Sequence, residues 1–258
     1  MRSILNSFLF FPERGIARRP EEVGLAVREL EIDTDDGERL DGWLVRSGDP
    51  WRGHVLFCHG NGGNIGGRVE QARLLASAGF EVLLFDYRGY GRSSGRLSEE
   101  GTCRDARSAR DALLRDEEAD EFRLIYLGES LGGAVALALA LEAPPFGLVL
   151  QSAFTSVRDM AREHYPYLPR TLIPDAYPSL RRVAEIRAPL LIVHGERDEI
   201  VPSSLAGGSS KAEPEPKVLR LLPDAGHNDL VDRAGDEYTE AIASWCDEIG
   251  REAGSAGR

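Results

Sequence analysis

Short apolar runs alternate with longer amphipathic stretches along most of this chain. Apolar and polar positions alternate over Val27–Thr34 and Leu40–Arg46, with Asp35-Asp36-Gly37 between them, which predicts an antiparallel hairpin at the start of a sheet. His54–Cys58 and Glu81–Phe85 are continuous apolar runs, the pattern of strands covered on both faces. Between them Val69–Ala78 has helical spacing and stops at Gly79. A glycine-rich loop, Asp86–Gly95, precedes a helix predicted from about Thr102 to Arg115. Leu124–Leu127 reads as a buried strand, and Ala134–Leu141, all small or straight-chain apolar residues, as a close-packed helix. Gly147–Gln151, Pro189–His194 and Lys217–Leu222 are further strands. The stretch up to about Ala188, with Pro166, Pro169, Pro174 and Pro178, is predicted irregular. Leu205 falls in a weak, glycine-interrupted helix, Asp236–Ile249 in a closing helix, and Arg251–Arg258 in a disordered tail.

Strands alternating with helices imply right-handed β–α–β units, hence an α/β fold with a mostly parallel, twisted sheet of about eight strands and helices on both faces. A single domain over residues 1–250 is expected, with a short lid or insertion at about 156–187. Function in such sheets gathers where strands end at their carboxyl edge.

One of those edges carries Gly128-Glu-Ser130-Leu-Gly132-Gly133, a Gly-x-Ser-x-Gly between strand and helix. A chain that reverses so tightly strains its central residue, and side chains two positions either side would collide with the neighbouring elements. The serine hydroxyl is then held over a helix N-terminus that favours an anion. Taken alone, the motif also fits a tight turn in which Ser130 only caps the helix.

Three other strand ends supply partners. His59-Gly-Asn61-Gly-Gly-Asn64 can turn backbone N–H groups inward, so that the amides of Asn61 and Leu131 could hold a developing oxyanion. A phosphate cradle is the competing reading, but no Gly-Lys-Ser/Thr follows. Asp198, in Gly195-Glu-Arg-Asp-Glu-Ile-Val-Pro202, could orient a base, with Glu196 and Glu199 as nearby competitors. His227, after Ala225-Gly226, is the candidate base; of the five histidines, His59 and His194 have no independent claim and His54 and His164 read as surface or core. The chain order Ser130, Asp198, His227 is the order that the serine–acid–histidine arrangement takes in one particular fold.

With these residues in view, the chain resembles the α/β-hydrolase family over nearly its whole length. The blocks His-Gly-Asn-Gly-Gly-Asn, Asp86-Tyr-Arg-Gly-Tyr-Gly-Arg-Ser, Gly-Glu-Ser-Leu-Gly-Gly, His194-Gly-Glu-Arg-Asp-Glu-Ile-Val-Pro and Ala-Gly-His-Asn-Asp carry the likeness, together with Leu9-Phe-Phe-Pro12 and Asp36-Gly-x-x-Leu-Asp-Gly-Trp43. They are similar to the branch with a very short lid, which includes protein depalmitoylases and bacterial esterases. The resemblance implies an α/β-hydrolase fold with a minimal lid and a Ser130–Asp198–His227 triad. Membrane-attached members carry an anchor ahead of Phe-Phe-Pro, where this sequence has almost nothing.

Composition narrows the partners. The 258 residues carry a net charge of -12, from 43 acids and 31 bases, which argues against nucleic acid or an anionic membrane surface. Three widely spaced cysteines suit neither a disulfide framework nor a metal site, so reduced thiols and a cytoplasmic location are expected, with Cys58 in the core. The apolar part of Met1–Pro12 is far shorter than the roughly 20 residues of a membrane span. Phe8, Phe10 and Phe11 are expected to dock on the domain, with a weak interfacial membrane contact as the alternative.

The expected activity is hydrolysis of an ester or thioester through an acyl-serine, without metal or cofactor. A peptidase or amidase would use the same triad, and a non-catalytic binding protein would be expected to have lost part of it. Tyr165, Tyr167, Leu168 and Tyr177 are the substrate-pocket candidates in the lid, against the alternative that they merely pack on the domain. Oligomeric state has no signature in the sequence.

Overall fold

The computed structural model describes residues 10–116, 119–154, 156–164, 167, 176–202 and 217–256. Its strands, in chain order, are β1 (Phe11–Pro12), β2 (Val27–Asp33), β3 (Arg39–Val45), β4 (Gly53–Cys58), β5 (Gly62–Gly63), β6 (Phe80–Phe85), β7 (Leu124–Glu129), β8 (Gly147–Gln151), β9 (Leu190–Gly195) and β10 (Lys217–Leu222). The helices are α1 (Val69–Ser77), α2 (Glu99–Leu114), α3 (Leu131–Glu142), α4 (Val157–His164), α5 (Ser179–Val183) and α6 (Leu230–Ala256).

Eight strands form one sheet in the order β10-β9-β8-β7-β4-β6-β3-β2. Among the described residues, pairing in this sheet is antiparallel at β2–β3 and β3–β6 and parallel at the other pairs. The predicted hairpin is present, closed by Thr34, whose N–H donates to the Glu38 carbonyl at 2.9 Å.

The period-two alternation of strand side chains sorts the core into two layers. Val55, Phe57, Val82 and Leu84 face α1 and α6, where Val69, Leu75, Tyr238, Ile242 and Trp245 meet them. Leu56, Cys58, Leu83 and Phe85 face the opposite layer of α2 and α3, with Ala106, Ala109, Val135 and Leu139. Burying such a side chain contributes about 1.5–3 kcal/mol, so strands buried at every position are held from both faces. Helix α3 has apolar residues all round because it lies under α2 and α5 as well as on the sheet.

Several elements differ from the sequence expectation. Helix α2 begins at Glu99, because the Ser98 hydroxyl caps it by accepting from Gly101 N–H at 3.0 Å. The proline-rich stretch holds two short helices, α4 and α5. The closing helix starts at Leu230, passes a non-helical Ala234, and runs to Ala256, so most of the stretch taken as a disordered tail is helical. Leu205, expected in a weak helix, lies outside the described residues.

The expected docking of the N-terminal phenylalanines holds for Phe10, which is 4% exposed and packs edge-on against Tyr177. Phe11 is 60% exposed, and Phe8 lies outside the described residues. Strand β1 pairs in parallel with β5, Phe11 opposite Gly62 and Pro12 opposite Gly63, a pairing with no signal in the hydrophobic pattern. Among the described residues no helix is long and apolar enough to cross a membrane.

Candidate active site

The turn from β7 into α3 puts Ser130 at φ 51° and ψ −112°, outside the relaxed regions for a residue with a side chain. Its N–H donates to the Gln151 carbonyl at 2.8 Å, and its carbonyl accepts from Gly133 N–H at 3.0 Å. A Cβ at Gly128 would stand 2.5 Å from the Gly132 carbonyl oxygen, and one at Gly132 would drive into the Cys58 carbonyl. Both glycines are therefore steric requirements of a strained turn that exposes the serine.

Strands β9 and β10 are neighbours, so the loops that follow them meet beside Ser130. His227 Nε2 is 3.2 Å from Ser130 Oγ, and His227 Nδ1 is 2.7 Å from Asp198 Oδ2. The other Asp198 oxygen, Oδ1, accepts from Ile200 N–H at 2.9 Å and Val201 N–H at 2.7 Å. Burial pushes the Asp198 carboxyl up, but hydrogen bonds from His227 and the Val201 amide outweigh it, so its pKa lies below the ordinary value. Glu196 and Glu199 on the same loop are exposed to solvent. His194 is buried beside the acid, with Nε2 2.8 Å from the Val201 carbonyl and 3.5 Å from Asp198 Oδ2; burial lowers its pKa.

Ser130, Leu131, Asn61 and His227 line one cavity of about 790 Å³. Phe154, Met160 and Ile200 supply apolar wall, while Gln71, Gln151 and Asn228 are polar. Tyr177, a pocket candidate by sequence, does not line it. That residue is fully buried at φ 50°, with its hydroxyl 2.9 Å from Thr102 Oγ1 and its N–H donating to Glu99. Tyr167 is 76% exposed and does not line the cavity either, and Tyr165 and Leu168 lie outside the described residues. Of the described residues in 156–187, Met160 on α4 lines the cavity.

Residues 49–181 match the family model described as serine aminopeptidase, S33. The chain belongs to this α/β-hydrolase family. This α/β-hydrolase is 44% identical over 242 residues to protein Rv2307c of Mycobacterium tuberculosis, covering 93% of the chain and 86% of that protein. Protein bem46 of Schizosaccharomyces pombe is 34% identical over 246 residues, covering 89% and 79%. Among solved structures, an esterase of Pyrococcus furiosus superposes with a TM-score of 0.75 over 93% of this chain and 98% of that one; at 19% identity the likeness is one of fold.

Two features of this α/β-hydrolase's site leave no trace in its sequence pattern. Arg68, just ahead of α1, forms a two-pronged ion pair with Glu129, the residue before Ser130, with Nε–Oε2 and Nη2–Oε1 both 2.9 Å. The N-terminal segment, in turn, braces the Asn61 loop from outside: Phe11 N–H donates to Asn61 Oδ1 at 3.3 Å, and the Asn64 amide donates to the carbonyls of Glu13 and Gly15. Below that loop His59 is fully buried between Tyr87 and Tyr90, so it has no access to the cavity. Cys58 is likewise buried, its thiol pushed up to about 12 by desolvation. No group of three or more His, Cys, Asp or Glu among the described residues is placed to hold a metal ion.

Proposed function

We propose that this chain is a serine hydrolase that cleaves an ester or thioester through an acyl-serine intermediate. The observation that carries this is His227, whose Nε2 lies 3.2 Å from Ser130 Oγ while its Nδ1 lies 2.7 Å from Asp198 Oδ2. His227 takes the hydroxyl proton as Oγ attacks the carbonyl carbon, and Asp198 stabilises the resulting imidazolium. The amides of Asn61 and Leu131 donate to the tetrahedral oxyanion. His227 then protonates the leaving group, the acyl-serine forms, and a water deprotonated by His227 releases the acid and restores Ser130. Each half-reaction balances with water as the only co-substrate.

The esterase named among the fold neighbours supports the ester reading, and the apolar wall of Phe154, Met160 and Ile200 suits an acyl group. The family model's aminopeptidase description favours a second reading, amide or peptide cleavage by the same three residues. A p-nitrophenyl ester series of graded chain length, a palmitoyl thioester and a matched p-nitroanilide, assayed with wild type and Ser130→Ala, separates them. Turnover of esters or thioesters well above the anilide, lost by up to about 10⁶-fold in the variant, is the expected result. Anilide turnover equal to the ester would favour the peptidase. Undiminished turnover by Ser130→Ala would refute both.

A further inference from the structure

We propose that Arg68 and Glu129 act as a pair of positioning residues, holding the Asn61 amide in register with Ser130. The inference rests on the acyl-serine reading and adds to it the part that fixes the oxyanion-binding geometry.

Glu129 ends β7 and is covalently joined to Ser130, so its backbone moves with the nucleophile. Its carboxylate reaches across to the loop that carries Asn61, where Oε2 accepts from Gly60 N–H at 3.4 Å. Arg68 completes the link. Besides its two prongs to Glu129, its Nη1 donates to the Gly62 carbonyl at 2.7 Å and to the Asn64 carbonyl at 3.5 Å. The residues on both sides of Asn61 are thus tied to one ion pair, Gly60 through its N–H and Gly62 through its C=O. Those two ties orient the intervening amide from the nucleophile's side, while from below His59 Nδ1 lies 2.7 Å from the Gly60 carbonyl oxygen and the Tyr90 hydroxyl donates to the Asn61 carbonyl at 2.7 Å. A planar guanidinium suits this task because its fork fixes direction as well as distance.

The loop is fitted to the pair. A Cβ on Gly60 would lie 2.9 Å from Glu129 Oε1 and 3.1 Å from Arg68 Nη2, so a side chain there would displace the clasp. Both charged side chains are mostly covered, 14% exposed for Arg68 and 16% for Glu129, so solvent screens their attraction little. Burial would favour a neutral Glu129, but the adjacent Arg68 outweighs it and keeps the carboxyl below its ordinary pKa. Glu129 is therefore an acceptor with its oxygens engaged, which removes it as a rival proton donor in the cavity. The N-terminal strand β1 braces the far side of the same loop, while the Arg68–Glu129 pair ties it to the residue beside the nucleophile.

The test compares wild type, Glu129→Gln, Arg68→Lys and the double variant on a neutral ester, p-nitrophenyl butyrate, with Ser130→Ala as the control. Displacing a reacting group by about 1 Å costs up to roughly 10²-fold, so kcat should fall about 10- to 100-fold in Glu129→Gln while KM moves less than about threefold. Arg68→Lys keeps the charge and loses the fork; it should fall in the same direction but less. The double variant should be no worse than the more impaired single variant, as for two halves of one device. Affinity for an alkyl boronic acid, whose tetrahedral adduct loads the oxyanion site, should fall in parallel with kcat. Thermal unfolding identifies any variant that fails to fold, in which case Arg68→Lys carries the test.

Wild-type kcat in folded Glu129→Gln, with Ser130→Ala inactive, would overturn the proposal and leave the acyl-serine reading standing. If a matched p-nitrophenyl ester with an anionic acyl chain, run alongside, shows a rise in KM that p-nitrophenyl butyrate does not, with kcat unchanged on both, Arg68 is a substrate anchor and the proposal is likewise overturned. An active Ser130→Ala would remove the parent reading and this proposal with it.

Discussion

Replacing Asp198 by Asn tests the role proposed for that carboxylate, because the surrounding donors dictate which way the new amide must point. Asp198 Oδ1 accepts two backbone N–H groups, from Ile200 and Val201, at 2.9 and 2.7 Å. An asparagine satisfies those donors only by turning its carbonyl oxygen toward them, since the opposite flip would set its NH₂ against two N–H groups. Its NH₂ then faces His227 Nδ1, which sits 2.7 Å from the oxygen it replaces. Nδ1 must become the acceptor, so the ring proton moves to Nε2, the atom 3.2 Å from Ser130 Oγ. The imidazole now offers Ser130 a proton where it should offer a lone pair. The expected loss in kcat is about 10⁴-fold, or about 5.4 kcal/mol of transition-state stabilisation, with KM little changed. Steady-state kinetics on a p-nitrophenyl ester, with circular dichroism to verify folding, reads it directly. A loss below tenfold in the folded variant would refute the assignment of Asp198 as the orienting acid.

Other consequences are smaller or bear on the fold. Gly132→Ala should destabilise the protein by about 3 kcal/mol or more, because the added Cβ meets the Cys58 carbonyl rather than a movable side chain; a denaturant melt within error of wild type would contradict this. Ser98→Ala should cost about 1 kcal/mol through the lost cap of α2 and leave kcat unchanged, as urea unfolding and the ester assay would show. His194, its pKa lowered by burial, binds a proton more readily unfolded than folded. Stability should therefore decline as the pH falls from about 6.5 toward its folded-state pKa, and His194→Gln should lack that part of the pH dependence. Parallel stability profiles for the two proteins over that window would disprove the point.

Much of the fold was legible because its strands are buried on both faces and its turns carry glycine. Leu124–Gly133 states strand, strained turn and helix in one continuous run, and Asp198 and His227 each follow an apolar strand at once. The boundaries that failed did so for local reasons. The cap at Ser98 extends α2 toward its start, and α6 continues through residues with no hydrophobic period because its later turns are exposed. Tyr177 looked like a wall of the pocket, yet its aromatic bulk is spent in the core against Phe10. The Arg68–Glu129 pair spans 61 positions, and two charged residues so far apart leave no periodic trace. The β1–β5 pairing is equally silent, since two-residue strands have no pattern to show.

The central claim is that Ser130 Oγ is the atom that takes the acyl group. The most direct measurement is peptide mass mapping of the enzyme after reaction with a fluorophosphonate, or after trapping with a slowly deacylating ester. The account predicts a single adduct on the peptide that contains Ser130, formed far more slowly in His227→Ala and absent in Ser130→Ala. An adduct on another residue, or ester turnover by Ser130→Ala equal to that of the wild type, would contradict it.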